Sequence, residues 1–155
     1  MLSQRAWETG GVTETRTPPT DLLGEWAFQR RIDDRAGRRR GTVQGRMRLL
    51  EQPDGRVLWQ EKGELRWPGS DPLPVQRTLY VVPREDDEDA WMVTFADGRD
   101  FHPWRPGEVV EHPCNADLYR GLVHPPTPGS RGWSVMWECT GPDKDYSMTT
   151  LVRPA

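Results

Sequence analysis

Trp133-Ser134-Val135-Met136-Trp137-Glu138-Cys139-Thr140, then Gly141-Pro142-Asp143-Lys144-Asp145, then Tyr146 to Arg153, reads as two strands joined by a turn. Successive side chains of a strand point to opposite faces. Trp133, Val135, Trp137 and Cys139 therefore share an apolar face, set against Ser134, Met136, Glu138 and Thr140. Pro142 followed by Asp143 suits the connecting turn. Lys144 and Asp145 then form a solvated pair, or the loop sits at a barrel mouth and brings Lys144 and Tyr146 to a ligand.

The same alternation recurs outward from this hairpin. Strand candidates run from Gly24 to Asp33, Gly41 to Glu51, Gly55 to Trp67, Val75 to Val82, Ala90 to Ala96, Arg99 to Trp104, Val109 to Cys114 and Leu118 to His124, ahead of the final pair. Asp54-Gly55 and Asp97-Gly98 mark hairpin turns, because Gly reaches positive φ without steric cost and Asp tolerates it. No amphipathic helix of three turns breaks the series. The order and spacing predict an all-β fold, an antiparallel up-and-down barrel of about eight to ten strands. Residues 1–20 lack periodicity and read as a flexible N-terminal arm that includes Trp7, with the barrel over residues 21–155.

The composition fits a single domain. At 155 residues a chain buries about 70% of its unfolded surface without disulfides or a structural metal. Hydrophobic residues make up only 34% of it, but eight are tryptophans, whose bulk can close a core. No apolar leader and no membrane-length apolar run is present, so a cytoplasmic protein is expected. The net charge of −3 argues against nonspecific nucleic-acid binding. Cys114 and Cys139 form no CxxC pair and are expected to be free thiols. The runs Arg35 to Arg40 and Glu85 to Asp89 are expected at solvated hairpin tips.

Polar residues on apolar faces carry the functional signal. Arg30 shares a face with Trp26, Phe28 and Ile32, Glu61 with Val57, Trp59 and Leu65, and Arg77 with Val75, Leu79 and Val81. Charges inside a barrel imply internal ion pairs or a wet cavity. A bulge that flips the parity would instead return them to solvent.

His112-Pro113-Cys114-Asn115-Ala116-Asp117-Leu118-Tyr119 is the densest reactive cluster in the chain. It meets no metal-ligand spacing, even with His102 or His124, and no local signature of a cysteine enzyme. No metal is expected. Acid/base work by His112, Tyr119 or Glu61 suits it better, with Arg77 stabilising charge.

Gly24-Glu25-Trp26 in the first strand and Arg153 in the last resemble the signature of lipocalin and calycin barrels. The resemblance implies Trp26 as a plug at one end of the barrel with Arg153 packed across it. From Leu22 onward the chain resembles a little-characterised family of small lipocalin-like proteins of bacteria and fungi, a domain of unknown function. The stretches that carry this are Leu22-Leu23-Gly24-Glu25-Trp26, Phe95 to His102, His112 to Gly121, and Trp137 to Tyr146 with Arg153. A fainter likeness is to nitrobindin-type haem barrels, but Tyr146 stands where their haem-ligating His would be, and no cofactor is expected.

The expected protein is a monomer or homodimer holding a small, partly aromatic molecule inside its barrel. It is read as a cofactor-free lyase, isomerase or cyclase of bacterial specialised metabolism, or as a non-catalytic binder or carrier. The expected catalytic set is Glu61, His112, Tyr119 and Arg77. Ligand contacts are assigned to Trp59, Trp91, Phe101, Cys114, Asp117, Trp133, Trp137, Lys144, Tyr146 and Arg30. Trp59, Trp91, Trp133 and Trp137 are expected to surround the cavity, and Trp67 and Trp104 to cover its rim.

Overall fold

The structure, a computed structural model, describes residues 17–84 and 90–155. A short 3-10 helix, Pro19–Leu22, leads into ten strands. These are β1 (Gly24–Asp34), β2 (Arg39–Glu51), β3 (Val57–Arg66), β4 (Leu73–Pro83), β5 (Trp91–Phe95), β6 (Asp100–Pro103), β7 (Val110–Cys114), β8 (Asp117–His124), β9 (Trp133–Thr140) and β10 (Asp145–Pro154). Every expected segment forms a strand, with its ends within two residues of the expectation. The expected arm falls almost wholly outside the described residues, as do Trp7 and the acidic run from Glu85.

The hydrogen-bonded order is β6-β5-β4-β3-β2-β1-β10-β9-β8-β7. Each strand pairs antiparallel with a neighbour in sequence, except where β1 meets β10. Between β6 and β7, Phe101 and His112 bring their rings to 5.1 Å, so the sheet is a nearly closed barrel. Its curvature is tight where β2 meets β3. Gly45 faces Gly63, and a Cβ on Gly45 would lie 2.0 Å from the Lys62 carbonyl oxygen. Glycine is the residue that permits two backbones this close at a barrel corner.

One end of the barrel is filled with tryptophan. Trp26 meets Trp133 edge to face at 5.9 Å, Trp133 meets Trp59 at 6.0 Å, and Trp59 meets Trp104 at 6.0 Å. Such contacts add about 0.5–1.5 kcal/mol each beyond area burial. The segment entering β1 crosses this end. Trp26 Nε1 donates to the Leu22 carbonyl and Trp104 Nε1 to the Thr17 carbonyl, both at 2.8 Å.

Two expectations about this end are corrected. Trp104 is 5% exposed and belongs to the plug rather than the rim, because its indole N–H is drawn to Thr17. Arg153 does not lie across Trp26: it pairs opposite Ala27, so the strand alternation turns its exposed side chain away from the barrel interior.

Candidate functional site

Burial of the inward-facing residues falls along four strands from the plugged end to the other. On β1, Trp26 and Phe28 are buried, whereas Arg30 and Ile32 are half-buried. On β3, Val57, Trp59 and Glu61 are buried and Leu65 is half-buried. On β4, Val81 and Leu79 are buried, and Arg77 and Val75 half-buried. On β10, Val152 and Thr150 are buried, and Met148 and Tyr146 half-buried. Inner-facing apolar side chains that water can reach mark the unplugged end as open. β2 and β9 remain covered on their inner faces through Val43, Val135 and Trp137.

The wall is also incomplete on one side. β4 begins to pair with β5 only at Leu79 opposite Phe95. Leu73 to Thr78 therefore have β3 as their one strand partner among the described residues.

Where filled meets open, the barrel carries charge. Glu61 is 4% exposed. Its Oε1 accepts from Arg30 Nη2 at 2.9 Å and its Oε2 from Arg77 Nη2 at 3.2 Å. Arg30 Nε donates to Thr150 Oγ1 at 2.8 Å, and its guanidinium lies 5.1 Å from the Phe28 ring centroid. The parity expected for all three residues holds, and no bulge interrupts β1 to β4. Burial pushes the Glu61 carboxyl up, but the charges of Arg77 and Arg30 and their hydrogen bonds outweigh it and hold the carboxyl below its usual range. Glu61 is thus an ionised anchor with both oxygens engaged. Proton transfer is a poor use for it.

His102 completes this layer, and its place was missed in the sequence reading. The pairing of β5 with β6 slips after Val93 opposite His102, so that Thr94 meets Asp100 and Phe101 is the extra residue. A bulge of this kind breaks the alternation. Phe101 stacks on Phe95 at 4.7 Å and on Trp137 at 5.1 Å, while His102, 3% exposed, meets Trp137 edge-on at 5.1 Å. His102 Nδ1 lies 2.8 Å from the Pro103 carbonyl, which can only accept, so Nδ1 carries the proton and Nε2 the lone pair. Burial first, then the charges of Arg77 and His112, pull its pKa down to about 4 against that hydrogen bond. The ring is neutral at pH 7.

The aromatic wall depends on Gly121, opposite Trp137 in the β8–β9 pairing. A Cβ there would lie 2.6 Å from the indole. Beyond this wall, His112 sits edge-on to Phe101 at 5.1 Å and to Phe95 at 5.9 Å, with Tyr119 at 6.0 Å.

A second polar group occupies the rim. Lys144 Nζ lies 3.0 Å from Asp117 Oδ2 and 3.3 Å from Tyr119 Oη. The Asp117 hydrogen bond, with that to Tyr119, raises the Lys144 pKa. Tyr146 is 6.5 Å from Tyr119 ring to ring, and burial, followed by its hydrogen bond with Tyr119, raises its phenol pKa. Among the described residues no group of three metal-ligating side chains converges.

The expected contacts therefore divide. Arg30, Glu61 and Arg77 come together in the charged layer, and Phe101 and Trp137 pack around His102 beside it. His112, Asp117, Tyr119, Lys144 and Tyr146 gather toward the rim. Trp59 and Trp133 do not border the open half, since they pack into the plug with Trp26 and Trp104. Trp91 is half-buried against the core on β5. Cys114 is exposed at the β7–β8 turn, Cys139 is buried, and both are free thiols. Trp67 lies at the open end over Gly41, with Arg39 stacked on its ring at 3.8 Å. Two surface concavities of about 780 and 510 Å³ adjoin Trp67, and both include the Asp33 and Arg40 side chains. Among the charges there, Arg40 pairs with Asp33 and Arg39 with Asp34. Inside the barrel, the buried Arg77 Nε has no hydrogen-bond partner among the described residues.

Fold and site together define a small antiparallel barrel, plugged by tryptophan at one end and open at the other, with an arginine–glutamate–arginine triad between. The chain belongs to the family of unknown function DUF6314, whose match spans residues 22–154. No curated protein matches it. Among solved structures it is similar to the S-type phycobiliprotein lyase CPES from Guillardia theta, at 9% identity and a TM-score of 0.60, covering 100% of this chain and 98% of that one. A protein of unknown function from the DUF3598 family of Nostoc punctiforme matches at 15% identity and a TM-score of 0.44, over 92% of this chain and 51% of that one. At these identities the first likeness is one of fold. No helix among the described residues is long and apolar enough to cross a membrane.

Proposed function

We propose that the open half of the barrel binds one small, partly aromatic organic molecule. The observation that carries this is the fall in burial along β1, β3, β4 and β10: apolar side chains aimed at the barrel axis remain half-buried above a charged layer. A barrel of this size has room for side chains or for one small ligand, and here side chains fill one half. Phe101, half-buried between Phe95 and Trp137, gives the ligand an aromatic edge to pack on. Val75 borders this space, so Val75→Trp is expected to abolish binding of the neutral fluorescent probe N-phenyl-1-naphthylamine. Leu151→Ala, on the outer face, should leave it intact. Probe binding that survives Val75→Trp contradicts the reading.

A second reading, acid/base catalysis on the bound molecule, is favoured by one observation. Lys144 donates to the Tyr119 hydroxyl at the rim, with the His112 ring 6.0 Å from the Tyr119 ring. In this reading Tyr119 moves the proton and Lys144 holds the phenol in place, as a lyase, isomerase or cyclase without a cofactor would require. Tyr119→Phe should then stop conversion of a bound compound, followed by mass spectrometry, without loss of binding. Conversion that continues in this variant counts against it.

A further inference from the structure

We infer that the ligand is an aromatic organic anion, with its acidic group held at Arg77 and its ring against Phe101 and Trp137. This rests on the reading of the open half as a binding site. The charged layer is not balanced: two guanidinium groups, Arg30 and Arg77, face one carboxylate, Glu61, and His102 is uncharged beside them. Among the described residues, one positive charge of this layer is left over.

The two arginines share this surplus unequally. Arg30 is 13% exposed and spends Nη2 on Glu61 and Nε on Thr150. Arg77 spends only Nη2 on Glu61, and its buried Nε has no hydrogen-bond partner among the described residues. Its side chain is 33% exposed, on the stretch of β4 where the wall lacks a second strand. A partly desolvated guanidinium with donors to spare is the residue type that takes a carboxylate or sulfonate. Glu61 blocks the alternative of a cationic ligand, since both its oxygens are already engaged.

The layer also sets a polarity along the barrel. Below it the tryptophans of the plug pack edge to face on one another, and beside it lies the Phe95–Phe101–Trp137 stack. A molecule entering from the open end or through the gap beside β4 can therefore meet Arg77 with its acidic end while its ring lies along the stack. His102 contributes no charge that would compete for the anion.

The test uses 8-anilinonaphthalene-1-sulfonate and N-phenyl-1-naphthylamine, which share their rings and differ by one sulfonate. In fluorescence titrations, Arg77→Met is expected to weaken the sulfonate about tenfold or more, the usual scale for a hydrogen bond to a charged group, while the neutral probe changes by less than about twofold. Arg77→Lys should keep most of the sulfonate affinity, and Val75→Trp should remove both probes. Glu61 retains Arg30 in Arg77→Met, and thermal unfolding checks that the variant folds. Should it not fold, the wild type decides: raising salt from about 0.05 to 0.5 M must weaken the sulfonate and spare the neutral probe.

Two outcomes overturn the inference, and they differ. If both probes respond alike to Arg77→Met, or alike to salt, the anion assignment fails and the binding site stands. If neither probe binds, or Val75→Trp spares both, the binding site fails and takes the assignment with it.

Discussion

Glu61→Gln tests the charged layer, because it removes the one negative charge and keeps the shape of the side chain. In the Arg30 arm the side chains are 13% and 5% exposed, so this pair counts as buried. In the Arg77 arm the arginine is 33% exposed, and water screens part of that interaction. Removing one partner of a buried pair costs about 3–5 kcal/mol, chiefly by stranding the other charge. Gln can still accept from one arginine and the Arg77 arm is partly screened, so the lower end, about 3 kcal/mol, is expected. In a domain of this length that lowers Tm by about 6–12 °C.

The pH dependence of the loss has a definite sign. The Glu61 carboxyl is held below its ordinary value of 4.5, so its ionised form is favoured more in the folded than in the unfolded chain. Its contribution is complete above 4.5 and disappears as pH falls through the lower folded value. Urea unfolding followed by tryptophan fluorescence should show a wild-type advantage that is constant near neutrality and shrinks in acid. A variant within about 2 °C of wild type at pH 7, or a gap undiminished near pH 3, would refute the reasoning.

Other positions make sharp claims about the wall and its turns. Gly121→Ala places a methyl 2.6 Å from the Trp137 indole, and should cost about 1–3 kcal/mol in urea unfolding and alter the near-ultraviolet circular dichroism. An unchanged spectrum would contradict the packing. Asn115, at φ 55° in the β7–β8 turn, should tolerate Gly, whereas Val should lower stability by about 1–2 kcal/mol in the same assay. Equal stability of the two variants would contradict the left-handed turn.

The strands were legible because each carries the two-residue alternation and is bounded by Gly, Pro or Asp-Gly turns. The inward Arg30, Glu61 and Arg77 were legible for the same reason: without a bulge in β1 to β4, counting by twos from Trp26, Trp59 and Leu79 reaches them directly. That rule fails at Phe101 and His102. Counting by twos assigns only one of them to the interior, and the slip after Val93 brings both into the aromatic cluster.

The division of the tryptophans was not legible. Alternation puts Trp59 and Trp133 inside, but whether an inner residue borders open space depends on its height along the barrel. Height is set by strand register, which appears only in three dimensions. The same limit hid the plug's hydrogen bonds, which join Trp104 to Thr17 across 87 positions of sequence. Arg153 shows that a motif resemblance can misplace a side chain: the Arg is present, but pairing with Ala27 turns it outward.

The division of the barrel into a filled and an open half is tested most directly by methyl NMR during titration with N-phenyl-1-naphthylamine. Signals from Ile32, Leu65, Val75 and Met148 should shift with the probe, while those of Leu49, opposite Trp59, and of Val57 and Val81, all fully buried at the plugged end, should stay in place. Shifts concentrated on Leu49, Val57 and Val81, or confined to methyls on the outer face such as Leu151, would contradict the account.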